Sequence, residues 1–306
     1  VEEALNVGPH EKKQITLGGY SIPDEAKGKE VMLNVDYKLK TVEPLLDLNY
    51  SIARQQLPVS DYKFPTLAEI MPKAEKVAQG KKKVAAEKVV KEEQLACLSL
   101  QAAQTTVTFN KKTGWVDYLD INGAPAFKKG YSLVPDFWRA PTDNDYGVDL
   151  QKKFAAWKDP KMDLKKFECK EFGDAKQVVA EYDMPTVSAK LLMTYTLRPD
   201  GQLVVNEKLT TDPNAKEKPM MFRFGMQLVW PQEFSKLQYY GRGPGENYID
   251  RHWGDRIGVY NQNVADQYWG YVRPQESGNH TDIRWWKVLS GAGTGLEFYS
   301  NIPMEC

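Results

Sequence analysis

AKLLMTYTLRPDGQLVVNEKLTTD, residues 189–212, decides the fold. Apolar and polar residues alternate on both sides of RPDG, the period of a half-buried strand rather than that of a helix. Within RPDG, Pro199 presets one backbone torsion and Gly201 supplies a left-handed one, so the two runs read as strands joined by a tight turn. The same grammar extends outward. TTVTFNKKTGWVDYLDI (residues 105–121) reads as a hairpin around NKKTG, and VVAEYDM (178–184) and MFRFGMQLVW (221–230) read as further strands. Helical periodicity is confined to a short piece near LQKKFAAWKD, residues 150–159. The expectation is an all-β chain of antiparallel strands in sandwich style.

A chain of 306 residues suggests about two domains, each long enough to bury a core. All eight tryptophans lie beyond residue 100, a compositional step that separates at least two regions. In residues 1–58, KKQITL, EVMLNVDYKL and LDLNYSIARQQ read as strands of part of a small β-sandwich. Residues 59–93 are rich in Lys, Glu and Ala; interleaved glutamates cancel the lysines, so this segment reads as a charged connector rather than a polyanion site. Residues 94–306 carry the strand-after-strand pattern. Lys plus Arg and Asp plus Glu both total 41, which provides no global field for nucleic acid or an anionic membrane. No apolar run approaches the roughly 18 residues of a membrane helix. Cys97, Cys169 and Cys306 are widely spaced, with no CxxC, which argues against a disulfide framework or a zinc site. The chain starts at Val1 without a methionine and stops after the strand-like GLEFYSN, so both ends read as cuts in a longer polypeptide and the compartment stays open, cytoplasmic or periplasmic.

Three loops concentrate the chemistry: FWRAPTDNDYGVD (137–149), YYGRGPGENYIDRHWGDR (239–256) and YWGYVRPQESGNHTDIRWW (268–286). Each mixes aromatic planes with arginine, asparagine and carboxylates. Sugars suit such a mixture, because their C–H faces pack on rings while their hydroxyls need polar partners. The competing reading is structural: Arg139, Arg242 and Arg251 pair with neighbouring carboxylates and brace the loops. Asp143, Asp145 and Asp149 alternate as in a calcium loop, but Gly147 stands where the third oxygen ligand belongs and no glutamate closes the loop. Asp143 and Asn144 are expected instead to hydrogen-bond their own backbone after Pro141. GRGPG (241–245) lacks the spacing of a phosphate-cradling loop. Asn206–Glu207, a pair suggestive of a glycosidase acid/base, sits mid-strand, and an exposed strand position is expected for it. His10, His252 and His280 occur without a GxSxG nucleophile motif.

FWRAPTDNDYG, YYGRGPGENYIDR and YVRPQESGNHTDIRWW resemble, in order and spacing, the C-terminal small-chain domain of the large multidomain β-galactosidases of glycoside hydrolase family two. The resemblance covers about residues 94–306; residues 1–58 more faintly resemble the end of the preceding immunoglobulin-like domain. It implies a galactose-mutarotase-like β-supersandwich after part of an immunoglobulin-like sandwich. It also implies a parent that hydrolyses terminal β-D-galactosides with retention, on glutamates of a TIM barrel that no segment here resembles. By resemblance, Gly147, Val148 and Asp149 start a mobile loop at the substrate mouth. Arg139, Asp143 and Asn144 anchor its base beside Trp138, and Glu246, Asn247, Asp250 and Arg251 brace the loops or face sugar. No catalytic residue, metal site or cofactor is expected in this chain, any divalent or monovalent cations of the parent belonging to the barrel. The implied partners are the β-galactoside, the barrel of the same polypeptide and further copies in a homo-oligomer, with neither nucleic acid nor membrane among them. The alternative is a stand-alone carbohydrate-binding β-sandwich module.

Overall fold

A computed structural model describes residues 2–16, 18–19, 21–71, 88–216 and 219–306. The chain divides into two compact units, Val1–Lys63 and Phe64–Cys306. Residues 72–87 of the charged connector lie outside the described residues.

The first unit is built on one antiparallel pair, β1 (Val31–Lys38) and β2 (Ser51–Ser60). No described residue of this unit is fully buried. Tyr37, Ile52, Leu57 and Val59 all remain exposed on or beside the pair. A two-stranded ribbon has too little apolar surface to be stable alone.

The second unit is a layered antiparallel β structure, an all-β supersandwich. Its first sheet is the meander β3 (Val90–Glu93), β4 (Cys97–Ala102), β5 (Thr105–Asn110), β6 (Val116–Ile121) and β7 (Ala124–Pro125). After β8 (Val134–Asp136) come two short helices, Asp143–Gly147 and Leu150–Lys153, and a 3-10 turn at Ala155–Trp157. A second sheet follows as consecutive neighbours β9 (Asp163–Phe172), β10 (Ala175–Met184), β11 (Ala189–Leu197) and β12 (Leu203–Thr211). β13 (Gly225–Gln227) pairs back onto β8. The last sheet contains β14 (Lys236–Gly243), β15 (Arg256–Asn263), β16 (Ile283–Leu289) and β17 (Gly295–Met304) in the order β15-β14-β16-β17. The three loops singled out from the sequence thus leave β8, join β14 to β15, and enter β16.

Strand formation follows from local chemistry. β11 and β12 pair in register from Ala189↔Thr211 to Leu197↔Leu203, with RPDG as the turn. There the Arg198 amide donates to the Gln202 carbonyl at 2.9 Å, and Gly201 takes φ +84, the torsion only glycine adopts without strain. The first two sheets meet through Leu98, Leu100, Val107 and Phe109 on one side and Val178, Ala180, Tyr182, Leu191, Met193 and Tyr195 on the other. The Phe109 and Tyr195 rings pack edge to face at 5.2 Å, and burying each stabilises the sandwich by roughly 2–3 kcal/mol. A hydrogen bond of 2.7 Å from the Tyr182 hydroxyl to the Thr113 carbonyl ties the NKKTG turn to the second sheet. A Cβ on the next residue, Gly114 (φ +78), would run into that hydroxyl. A smaller cluster, Phe234, Leu237, Tyr239, Ile283 and Val288, lies under the last sheet, and Trp230 packs on both clusters.

Candidate functional site

The first loop is seated by its aromatic residues. Phe137 is buried against Trp157 at 5.2 Å, and the Trp157 indole N–H donates to the Pro219 carbonyl at 2.7 Å. Trp138 meets Phe222 edge-on at 4.8 Å, and the Arg139 guanidinium stacks over the same ring at 4.6 Å. Arg139 then grips Asp145 with two N–H groups, at 2.6 and 3.3 Å. Asp145 also accepts the Thr142 amide at 2.7 Å, while the Thr142 hydroxyl accepts the Asp145 amide, a capping box that starts the helix Asp143–Gly147. Burial pushes the Asp145 carboxyl up, but the Arg139 and Thr142 donors outweigh it and hold it below the usual carboxylate range.

Asp143 was expected to turn on its own backbone; it reaches across to the third loop instead. Its amide donates to the Gln275 side-chain oxygen at 3.2 Å, and its carboxylate lies 3.5 Å from Arg273, whose guanidinium covers the Tyr146 ring at 4.1 Å. The backbone role belongs to Thr142 and Asp145. Asn144 is exposed. Gly147 ends the first short helix, Val148 is exposed, and Asp149 takes a left-handed φ of 59 where the next helix begins, with its carboxylate 2.9 Å from Lys152.

Loops two and three are knitted together around Asn247, which has no solvent exposure. Its side-chain NH2 donates to the carbonyls of Arg242 and Gly245 at 3.1 and 3.0 Å. Its side-chain oxygen accepts the amide and the hydroxyl of Thr281 at 2.9 and 2.7 Å. Its own peptide group exchanges bonds with Asn279 at 2.7 and 2.8 Å. Both donor and both acceptor positions of the side chain are used. Glu246, nearly buried, accepts from Arg251 at 2.8 Å, from the Gly278 amide at 2.7 Å and from the Tyr271 hydroxyl. Arg251 also donates to that hydroxyl at 2.6 Å and lies over the Tyr248 ring at 4.7 Å. Arg242 pairs with Asp282 and donates to the Asp255 carbonyl at 3.1 Å. Asp250 is exposed.

Four loop carboxylates are engaged by arginines: Asp145 by Arg139, Glu246 by Arg251, Glu276 by Arg223 and Asp282 by Arg242. Burial raises the Glu276 carboxyl, against the pull of Arg223 and Arg139. The Tyr248 hydroxyl lies buried without a hydrogen-bond partner among the described residues, and burial pushes its ionisation far up. Among the described residues no group of three or more His, Cys, Asp or Glu side chains could hold a metal ion.

Glu207 departs from its expected exposed position. It pairs with Met193 in register, so it shares a face with Leu203, Val205 and Leu209, all packed on the main core. Its Oε1 is buried without a partner among the described residues. Burial, with the Asp136 carboxylate adding, raises its carboxyl to about 8. The apolar residues two positions to either side were the signal that could have placed it. Asp145 was likewise missed, since a six-residue step from Arg139 matches no regular period.

A layered all-β sandwich that presents three arginine-braced aromatic loops at its strand ends is the class of architecture this chain shows. Residues 101–303 match the family described as beta galactosidase small chain, and the chain belongs to that family. It is similar to the beta-galactosidase of Priestia megaterium, 27% identical over 294 residues that make up 95% of this chain and 27% of that protein. The beta-galactosidase of Lactobacillus delbrueckii subsp. bulgaricus is 31% identical over 253 residues, 81% of this chain and 24% of that protein. That of Halalkalibacterium halodurans is 30% identical over 213 residues, 68% and 21%. The chain thus spans about a quarter of the length of these relatives.

Proposed function

We propose that this chain is the C-terminal portion of a family-two β-galactosidase that hydrolyses terminal β-D-galactosides with retention, and that its part in that enzyme is non-catalytic. The observation that carries the reading is the arginine pairing of the loop carboxylates Asp145, Glu246, Glu276 and Asp282. A retaining glycosidase needs two carboxyls about 5–5.5 Å apart, facing each other across the scissile bond and free to act on it. Carboxylates held by arginine and backbone donors shape a surface instead. On this reading the loop that starts at Gly147, Val148 and Asp149 borders the substrate mouth of a barrel elsewhere in the polypeptide. Trp138, Arg139 and Asp143 hold its base, and Glu246, Asn247 and Arg251 fix the neighbouring loops. The exposure of Asn144, Val148 and Asp149 supports a place for them at that mouth. The domain also supports assembly of the parent into its homo-oligomer, and any cations the parent uses bind in the barrel.

The test begins with the size of the native polypeptide, blotted from source-cell extract with an antibody raised against this chain. A band far above 34.9 kDa, with galactosidase activity in that species and none in the 306-residue chain, is the expected result. A native band at 34.9 kDa would overturn the reading, and so would turnover of galactoside by the chain alone.

A further inference from the structure

The last sheet has an outer face that the three loops do not use. Leu237, Tyr239 and Val288 lie in the core beneath this sheet, and Trp286, packed on that core, stacks on Phe298 at 4.2 Å. Strand alternation therefore puts Gln238, Tyr240, Trp285, Lys287, Glu297 and Tyr299 on the opposite face. Register sorts them into two rows, side by side, that cross all four strands. One row is Val259, Tyr240, Trp285 and Tyr299. Its Tyr240 and Trp285 rings lie 6.3 Å apart, and Val259 and Tyr299 are 55% and 44% exposed. The other row, two residues along each strand and so roughly 7 Å away, is Asn261, Gln238, Lys287 and Glu297. A cleft of about 350 Å³ opens at this polar row, lined by Lys236, Gln238, Asn261 and Asp266. That volume falls within the range of sites that hold small ligands, roughly 300–1,000 Å³.

The chemistry of the face selects its ligand. The Gln238 side-chain NH2 donates to the Asn261 side-chain oxygen at 2.7 Å. The Gln238 oxygen and the Asn261 NH2 then have no other partner among the described residues. An acceptor and a donor held side by side match the two hydroxyls of a vicinal diol. Charges along the face balance: Lys287 lies 3.4 Å from Glu297, and Lys236 and Asp266 hold the two ends of the Asn263 amide at 2.7 and 2.8 Å. That balance favours a neutral ligand over an ionic one. Half of the face is amide and paired charge, too polar for the apolar centre of a protein interface. We propose that this face binds a neutral disaccharide, one pyranose unit packed on Trp285 and Tyr299 and the next hydrogen-bonded by Gln238 and Asn261. The site goes beyond the proposed function, needs no barrel, and stands or falls independently of it.

Saturation-transfer NMR on the 306-residue chain tests this with lactose as the probe. Mannitol, an acyclic polyol with hydroxyls but no ring face, serves as the control. Saturation should reach the lactose ring protons and not those of mannitol. Gln238→Ala and Asn261→Ala each remove one side of the diol pair. Each should weaken lactose binding about threefold to tenfold, the worth of one neutral hydrogen bond, with the melting temperature unchanged. Without any variant, the Trp285 indole N–H cross-peak should move as lactose is added, while those of Trp253 and Trp269 on the loops stay in place. Absence of lactose binding would overturn the site, and so would equal saturation of mannitol. Movement of the Trp253 or Trp269 peak in place of that of Trp285, or lactose binding that survives both amide changes, would put the sugar elsewhere and likewise overturn it.

Discussion

The sandwich and the loop face of this molecule are held by different physics. Between the first two sheets the contacts are apolar: Phe109, Tyr195, Leu191 and Met193 interlock with almost no solvent exposure. Across the three loops the contacts are largely hydrogen bonds, neutral around Asn247 and charge-assisted at the arginine–carboxylate pairs. Apolar packing is non-directional and tolerates rearrangement, whereas a buried hydrogen-bond network is intact or costly. The sandwich therefore supplies stability, and the loop face supplies shape.

The comparison breaks most visibly in the core. Phe109→Ala should destabilise the second unit by about 3–5 kcal/mol, as the loss of a fully buried ring does elsewhere, with a fall in melting temperature that neither salt nor mild acid alters. Asn247→Ala removes four side-chain hydrogen bonds at once and should cost about 3 kcal/mol. Its mark should be local, with limited proteolysis cutting between residues 245 and 281 before the strands. Equal global loss of melting temperature with no local cutting would mean that the two regions unfold as one.

Asp145→Asn sharpens the electrostatic half. Because Arg139 keeps 18% side-chain exposure, the expected cost is about 2 kcal/mol rather than that of a fully buried pair. The folded-state Asp145 carboxyl is held below its unfolded value, so its stabilisation is present above the unfolded range near pH 4 and lost as pH falls through the folded one. Melting curves of the parent and the Asn variant should converge in acid. Glu207→Gln should show the opposite slope. The raised carboxyl keeps its proton in the folded state while the unfolded chain loses it, so the parent weakens as pH rises from roughly 4.5 to about 8. The variant should match the parent near pH 4.5 and exceed it at pH 8 and above by roughly 4 kcal/mol, at about 1.4 kcal/mol for each pH unit of the shift. Parallel melting curves across that range would sink the assignment of a buried carboxyl.

The two regions also differ in how far the sequence discloses them. Strands β5, β6, β11 and β12 were legible because alternation and turn residues are local properties, and NKKTG and RPDG lie where chain geometry demands glycine. The loop motifs were legible as sites of unusual chemistry, but their partners were not. Asp143 meets Arg273 and Gln275 from 130 or more positions away, a distance at which side-chain choice leaves no periodic trace. Arginine to carboxylate was the right expectation for Arg139, Arg242 and Arg251 as a class, yet which carboxylate each takes is fixed only by the fold. Glu207 failed for a different reason. Its chemical type suggested solvent, while its register with Val205 and Leu209 placed it inward, and register prevailed.

Gly114 and Gly123 close turns at opposite ends of β6, and both take positive φ. Around Gly123 there is open space, whereas Gly114 sits under the Tyr182 hydroxyl. For protein engineering the two turns are opposites. An epitope tag or fluorophore spliced in at Asn122–Gly123 would hang clear of the domain. The same insert at Thr113–Gly114 would act as a wedge, prising one sheet off the other.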